Sequence, residues 1–218
     1  MKVFTLDIVS DVVCPWCAIG YKRLEQAMNT LKGEIEFQID WHPFELNPQM
    51  PPEGEEIFEH LARKYGLTRD AALQNQAQIA SLGQELGLNF QFGPERRIHN
   101  TFDAHRILHW ARTHNKQTEL YLALFDEYFG KGNNPAAPEV LVRVADELGL
   151  NAQEASDVVA SDRYAEEVRA EQRHYQQGIQ AVPGFIVNQT YLISGAQDPD
   201  TLVRAFRDIA LESLNDEF

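Results

Sequence analysis

At 218 residues the chain is long enough to bury a substantial core, and it carries 19 lysines and arginines against 33 aspartates and glutamates, a formal charge of −14. That charge repels phosphate backbones and anionic lipid surfaces, which excludes nucleic acid and membranes as expected partners. No run approaches the roughly 18 apolar residues that a bilayer span requires, and residues 1–11 lack the apolar core of a secretory leader, so a cytoplasmic protein is the expectation.

Residues 3–9, Val-Phe-Thr-Leu-Asp-Ile-Val, mix β-branched and aromatic side chains in partial alternation and predict a strand. The tetrapeptide Cys14-Pro15-Trp16-Cys17 follows, and apolar periodicity from Ala18 to Leu31 predicts a helix. Alternation at Ile35, Phe37, Ile39 and Trp41 predicts a second strand, completing a β-α-β unit. The segment 42–52 then carries Pro43, Pro48, Pro51 and Pro52, too many for a strand or helix interior, and reads as a stiff loop. From 53 to 177 helical periodicity takes over and convincing strands disappear, as in an all-helical insertion. Helices are predicted over 55–65, stopped by Gly66, and from a Thr68 cap towards Gly87. Others are predicted near 100–113, 119–129, 138–148, 152–160 and 164–176. Strands return at 185–187 and 191–193, joined as a hairpin by Asn188-Gln189-Thr190. A last helix starts at Asp198 or Pro199 and is expected to bury Leu202, Phe206, Ile209 and Leu211. The order β-α-β, helical block, β-β-α predicts an α/β fold class in which segments 1–52 and 178–218 form one domain, interrupted by the helical domain 53–177.

Both cysteines of the chain fall in one four-residue window, the pattern of a reactive pair and not of a secreted disulfide framework. Proline suits the first helical position, which makes Cys14 the N-cap and Cys17 the third helical residue, with both sulfurs on one face. Unpaired N–H groups and the positive dipole end there favour an anion. Cys14 is therefore expected to be the exposed nucleophile, held as a thiolate, and Cys17 the deeper resolving thiol. Trp16 would cover part of that face and offer an apolar platform, with Pro15 beside it, to a substrate. Half of a zinc site is another reading of Cys-x-x-Cys, but no second pair exists. Plain buried hydrophobes are a further one, which the strand-to-helix junction argues against. His105 and His109, one helical turn apart, lack a third ligand, and no metal site is expected.

The run Asp11-Val12-Val13-Cys14-Pro15-Trp16-Cys17-Ala18-Ile19-Gly20 resembles the opening of DsbA-like oxidoreductases of the FrnE type. Three further segments agree in order: Trp41-His42-Pro43-Phe44-Glu45-Leu46-Asn47-Pro48, Asn100-Thr101-Phe102-Asp103-Ala104-His105-Arg106, and Val182-Pro183-Gly184-Phe185. The resemblance covers essentially the whole chain and implies a thioredoxin fold interrupted by a helical domain. It also implies a cis bond between Val182 and Pro183, whose backbone pairs with a substrate strand, and it places Phe44, Asn47, His99 and Asn100 on the roof of the site. Asn47 also reads as a turn residue and Asn100 as a helix cap. The wider superfamily includes 2-hydroxychromene-2-carboxylate isomerases and kappa-class glutathione transferases, which carry serine where Cys14 stands. In those relatives the place of Ser194-Gly195-Ala196-Gln197 holds the γ-glutamyl carboxylate, which makes Ala196 and Gln197 candidates for contact with glutathione as redox partner or substrate. The expected activity is thiol–disulfide exchange on protein or small-molecule disulfides with no tightly bound cofactor. A glutathione-dependent isomerase or transferase and a redox-sensing, chaperone-like binding protein are the alternatives.

Overall fold

A computed structural model describes residues 1–215 of the chain. Strand β1 (Lys2–Ser10) buries Phe4, Leu6 and Ile8 on one face, as period-two alternation requires, and its last residues, Val9 and Ser10, are buried as well. Helix α1 (Pro15–Thr30) starts on Pro15, which has no backbone N–H to lose. Strand β2 (Ile35–Pro43) returns parallel to β1, in register from Lys2↔Ile35 to Ser10↔Pro43. It runs two residues past the expected end, through His42 and Pro43. It pairs with β1 on one side only and is an edge strand of the sheet, where a terminal proline is tolerated. Strand β5 (Gly184–Val187) lies antiparallel to β1, and β6 (Tyr191–Ser194) antiparallel to β5. Helix α9 (Pro199–Asn215) and α1 cover the face of Phe4 and Leu6: Phe206 meets Phe37 at 4.9 Å and Tyr21 meets Trp41 at 5.1 Å. Leu211 is 62% exposed, against expectation, because it falls off the stripe formed by Leu202, Phe206 and Ile209.

Between β2 and β5 the chain forms β3 (Glu55–Glu56), α2 (Ile57–Tyr65), α3 (Arg69–Glu85) and β4 (Arg97–Ile98). Helices α4 (Phe102–Arg112) and α5 (Gln117–Phe125) follow, then a π-helical turn (Asp126–Gly130), α6 (Pro138–Glu147), α7 (Ala152–Val159) and α8 (Ala165–Tyr175). Gly66 stops α2 with a left-handed φ of 67°, and the Thr68 hydroxyl caps α3 by accepting from the Ala71 N–H. The insertion is not all helical. Glu55–Glu56 and Arg97–Ile98 pair as a short antiparallel ladder, so the helix expected from 55 begins at Ile57 with Glu56 as its N-cap. Nor is 119–129 one helix. The Arg96 guanidinium donates to the Tyr128 and Phe129 carbonyls, and the Gln91 N–H donates to Phe129 at 2.8 Å. Carbonyls claimed from outside the helix favour the wider turn there.

A continuous apolar cluster runs from Phe4, Leu6 and Ile8 through Trp41 into Ile107, Trp110 and Leu141, with Trp41 stacked on Tyr121 at 4.0 Å. Met50, Ile57, Phe58, Ala72 and Ile98 form a second, smaller cluster that seats α2 and α3. Among the described residues no helix is long and apolar enough to cross a membrane.

Candidate active site

The carboxyl ends of β1 and β2 and the start of β5 converge, and the Cys14–Cys17 segment lies just beyond them. The Phe44 N–H donates to Ser10 O at 3.1 Å, tying the loop after β2 to the end of β1, and the Cys14 N–H donates to Asp11 O at 3.0 Å, closing the turn into α1. Cys14 is the N-cap residue, in extended backbone (φ −93°, ψ 113°), with Pro15 at the next position and no acidic residue in the first turn. The bond between Val182 and Pro183 is cis, and the Cys14 thiol approaches Val182 O at 3.9 Å. Gly20 permits this arrangement. A Cβ there would stand 2.8 Å from Pro183 Cγ and 3.4 Å from Ala196 Cβ, so α1 meets the proline loop only because position 20 has no side chain.

Both cysteines are free and neither is exposed: Cys14 retains 5% of its surface and Cys17 1%. The expectation of an exposed Cys14 is corrected, because the loop after β2 and the α2–α3 pair roof the helix start. Burial, reinforced by the adjacent Cys14 thiol, raises the Cys17 pKa well above the usual thiol value; the Ser10 hydroxyl and the Asp11 backbone act against that rise. Behind Cys17 lies a sealed polar group that the sequence reading did not single out. Ser10 and Asp11 are fully buried, and Asp11 Oδ2 accepts from the Leu46 N–H at 2.7 Å. The His105 ring engages Phe44 O at 3.1 Å and lies 3.7 Å from Asp11 Oδ1. Burial, with Cys17 and Asp11 adding, raises the Tyr121 hydroxyl pKa well above its ordinary value. Glu45 is buried on the other side of this loop; burial raises its pKa although Gln172 donates to it at 2.9 Å.

A cavity of about 580 Å³ opens over Cys14, and its lining includes Pro15, Trp16, Phe44, Asn47 and Val182. Trp16 is 42% exposed at its edge. The other candidates lie elsewhere. Asn100 accepts from the Phe102 N–H at 2.9 Å and donates to Pro48 O at 3.3 Å, so it starts α4 and braces the loop, while His99 sits against Gly54. Ala196 and Gln197 stand beside α1, outside the cavity: Ala196 O accepts from Arg23 at 2.6 Å and Gln197 donates to Ser194 O at 2.8 Å. Asp11 carried a signal, an acid three residues before the dithiol, and Glu45 stands in the loop segment that the resemblance covers. Tyr121, Lys64 and Gln76 carried none, since only packing brings their helices to the site. His109 lies 3.1 Å from Glu171, and among the described residues no group of three or more His, Cys, Asp or Glu is placed to hold a metal ion.

A dithiol at the first helix of a thioredoxin-type sheet, with a cis X-Pro bond across from it, defines a protein of the thioredoxin-fold class. Residues 5–207 match the DsbA-like thioredoxin domain, and the chain belongs to that family. It is 28% identical over 206 residues to the uncharacterized protein YwbO of Bacillus subtilis, covering 93% of this chain and 96% of that one. The crystal structure of a probable DsbA oxidoreductase from Streptomyces coelicolor superposes with a TM-score of 0.86 at 30% identity, over 93% of this chain and 88% of the other. The cytosolic disulfide reductase DsbM of Pseudomonas aeruginosa, solved with GSH, shares the fold at a TM-score of 0.61 and 19% identity, over 95% of this chain and 99% of the other.

Proposed function

We propose that the protein is a cytoplasmic thiol–disulfide oxidoreductase in which Cys14 exchanges with substrate disulfides and Cys17 resolves the intermediate. One observation carries this reading: Cys14 is the N-cap of α1 and lines a cavity opposite the Val182 carbonyl, while Cys17 lies behind it in the core. An anion on Cys14 faces the positive end of the α1 dipole. In the reducing direction the Cys14 thiolate attacks one sulfur of RS–SR′, forming a Cys14–SR bond and expelling R′S⁻, which takes a proton. Cys17 then loses its own proton and attacks the Cys14 sulfur; the Cys14–Cys17 disulfide forms and RS⁻ leaves, so two electrons have passed from the dithiol to the substrate. Its raised pKa keeps Cys17 protonated until the mixed disulfide forms beside it. Two equivalents of a low-molecular-weight thiol such as glutathione restore the dithiol and become a disulfide themselves. The cytosolic description of DsbM and its GSH support this compartment and this reductant. Pro15, Trp16, Phe44, Asn47 and the Val182–Pro183 backbone present the substrate, whereas Asn100, Ala196 and Gln197 support surrounding loops.

The test is glutathione-driven reduction of insulin disulfides. Cys14→Ser is expected to fall to the uncatalysed rate, and Cys17→Ser to accumulate a Cys14–substrate mixed disulfide visible by intact mass. Equal rates for wild type and Cys14→Ser, or glutathione-dependent chromene isomerisation that survives Cys14→Ser, would remove the proposal.

A further inference from the structure

The cavity over Cys14 carries more information than a dithiol alone requires. Its volume of about 580 Å³ falls in the range of roughly 300–1,000 Å³ occupied by small-molecule sites. Its walls are mostly apolar, and the apolar side chains come from separate elements: Trp16 of α1, Ile57 and Leu61 of α2, Ile79 of α3, and Phe92 and Phe129. Only 5% of Cys14 is exposed, so a disulfide must enter the cavity to reach the sulfur. A folded protein surface meets Cys14 poorly, and a small molecule meets it well.

One polar group in this lining is without a partner, and a second is a cation that meets only neutral groups. Gln76 is more than nine-tenths buried and lines the cavity, yet its side-chain amide nitrogen has no hydrogen-bond partner. A buried donor left unpaired is unfavourable, and an acceptor on an occupant removes that cost. Lys64, also in the lining, donates at 2.8 Å to Leu46 O and at 2.8 Å to Asn47 Oδ1 and lies 5.4 Å from the centre of the Tyr65 ring, all neutral groups. Among the described residues no carboxylate lies within ion-pair distance of it, in a chain of formal charge −14 where acids outnumber bases. A cation and an orphaned donor in a mostly apolar chamber, whose other polar members are Glu45, held by Gln172, with His60, Asn47, Asn75 and Gln180, match a ligand with an apolar body and an anionic, acceptor-rich end.

We propose that the substrate of this site is a low-molecular-weight disulfide with an aromatic or aliphatic body and a carboxylate, the carboxylate meeting Lys64 and Gln76 while the disulfide meets Cys14. This rests on the dithiol reading given above and narrows it: the exchange is the one already balanced, with RS–SR′ the small disulfide and a monothiol as reductant.

The probes are dithiobis(nitrobenzoate), an aromatic disulfide carrying carboxylates, and dithiodipyridine, an aromatic disulfide without charge. Binding is measured first by calorimetry on the Cys14→Ser, Cys17→Ser double variant, which has no thiol to react. The expected result is saturable binding of the carboxylate probe, weakened about tenfold by Lys64→Met or Gln76→Leu, as loss of a hydrogen bond to a charged group predicts. Dithiodipyridine affinity should not change. With the thiols present, the same two variants should raise KM for the carboxylate disulfide about tenfold relative to KM for dithiodipyridine. Absence of saturable binding, or equal weakening for both probes, would overturn the proposal even if insulin is reduced. Charge-dependent binding in a protein whose thiols reduce nothing would overturn the oxidoreductase reading and leave the ligand site standing. Insulin turnover far more efficient than turnover of either small disulfide would assign the cavity to an extended polypeptide instead.

Discussion

A hydrogen atom where other residues carry a methyl group keeps α1 against the proline loop. In most helix interiors Gly→Ala stabilises by about 1 kcal/mol. At Gly20 the added Cβ would meet Pro183 Cγ at 2.8 Å and Phe185 Cζ at 3.3 Å, ring atoms that have little room to yield. Gly20→Ala is therefore expected to destabilise by about 1–3 kcal/mol, read as a lowered urea midpoint, and to slow exchange at Cys14 by displacing Val182. A neutral or raised midpoint would show that the contact is not tight. At this scale the sequence was informative wherever a residue's environment is local. Pro15 and Cys14 declare a helix start, and Cys17 follows from spacing. Asn100 was open to two readings because cap and roof residue call for the same side chain, and only the neighbouring fold shows it bonded to the Phe102 N–H and Pro48 O.

Among elements, the π-helical turn shows what a buried cation does to a helix end. Arg96 is 7% exposed, and its guanidinium supplies donors to the carbonyls of Gln91, Tyr128 and Phe129. Burial lowers its pKa, and the charge is held by these carbonyls and by the Tyr128 ring, whose centre lies 5.2 Å from the guanidinium carbon. Arg96→Met removes these donors and leaves several buried carbonyls unsatisfied, at an expected loss of about 2–4 kcal/mol. Phe129 lines the cavity, so amide hydrogen exchange should rise across 126–130 in this variant. Unchanged protection there would mean that the turn holds without Arg96. Helix existence was readable from periodicity throughout the insertion. The break at Asp126 was not, because the group that causes it sits thirty residues earlier in the chain.

For the whole molecule, the joint between sheet and insertion is polar as well as apolar. His42 of β2 lies between Asp7 at 3.0 Å and Glu171 of α8 at 2.9 Å, and Glu171 also meets Arg112 of α4 at 3.0 Å. Burial opposes the charged state of both partners, but the hydrogen bonds outweigh it: the His42 pKa is raised, and Glu171, held by His109, His42 and Arg112, is depressed far below the usual carboxylate range. A raised histidine contributes stability fully below its unfolded pKa of about 6.5 and loses it as pH rises through the folded value. A depressed carboxylate contributes above its unfolded pKa of about 4.3 and loses that contribution as pH falls. The joint is therefore expected to stabilise most between about pH 4.5 and 6.5. Glu171→Gln should cost about 2–3 kcal/mol there, less than a fully sealed pair because Glu171 keeps 20% of its side-chain surface. Denaturant titrations of wild type and variant across pH test this; a gap that does not change with pH would exclude it.

The sequence by itself determined the dithiol, the helix start beneath it, the strands on either side and the family, because each depends on periodicity or on neighbours a few residues apart. Tertiary structure alone decided that Cys14 is roofed, that Ser10, Asp11 and Tyr121 seal the space behind Cys17, and that Lys64 and Gln76 enter the cavity. These depend on how α2, α3 and α5 pack back over the sheet. Packing joins residues distant in sequence through burial and shape complementarity, which no short window of sequence records.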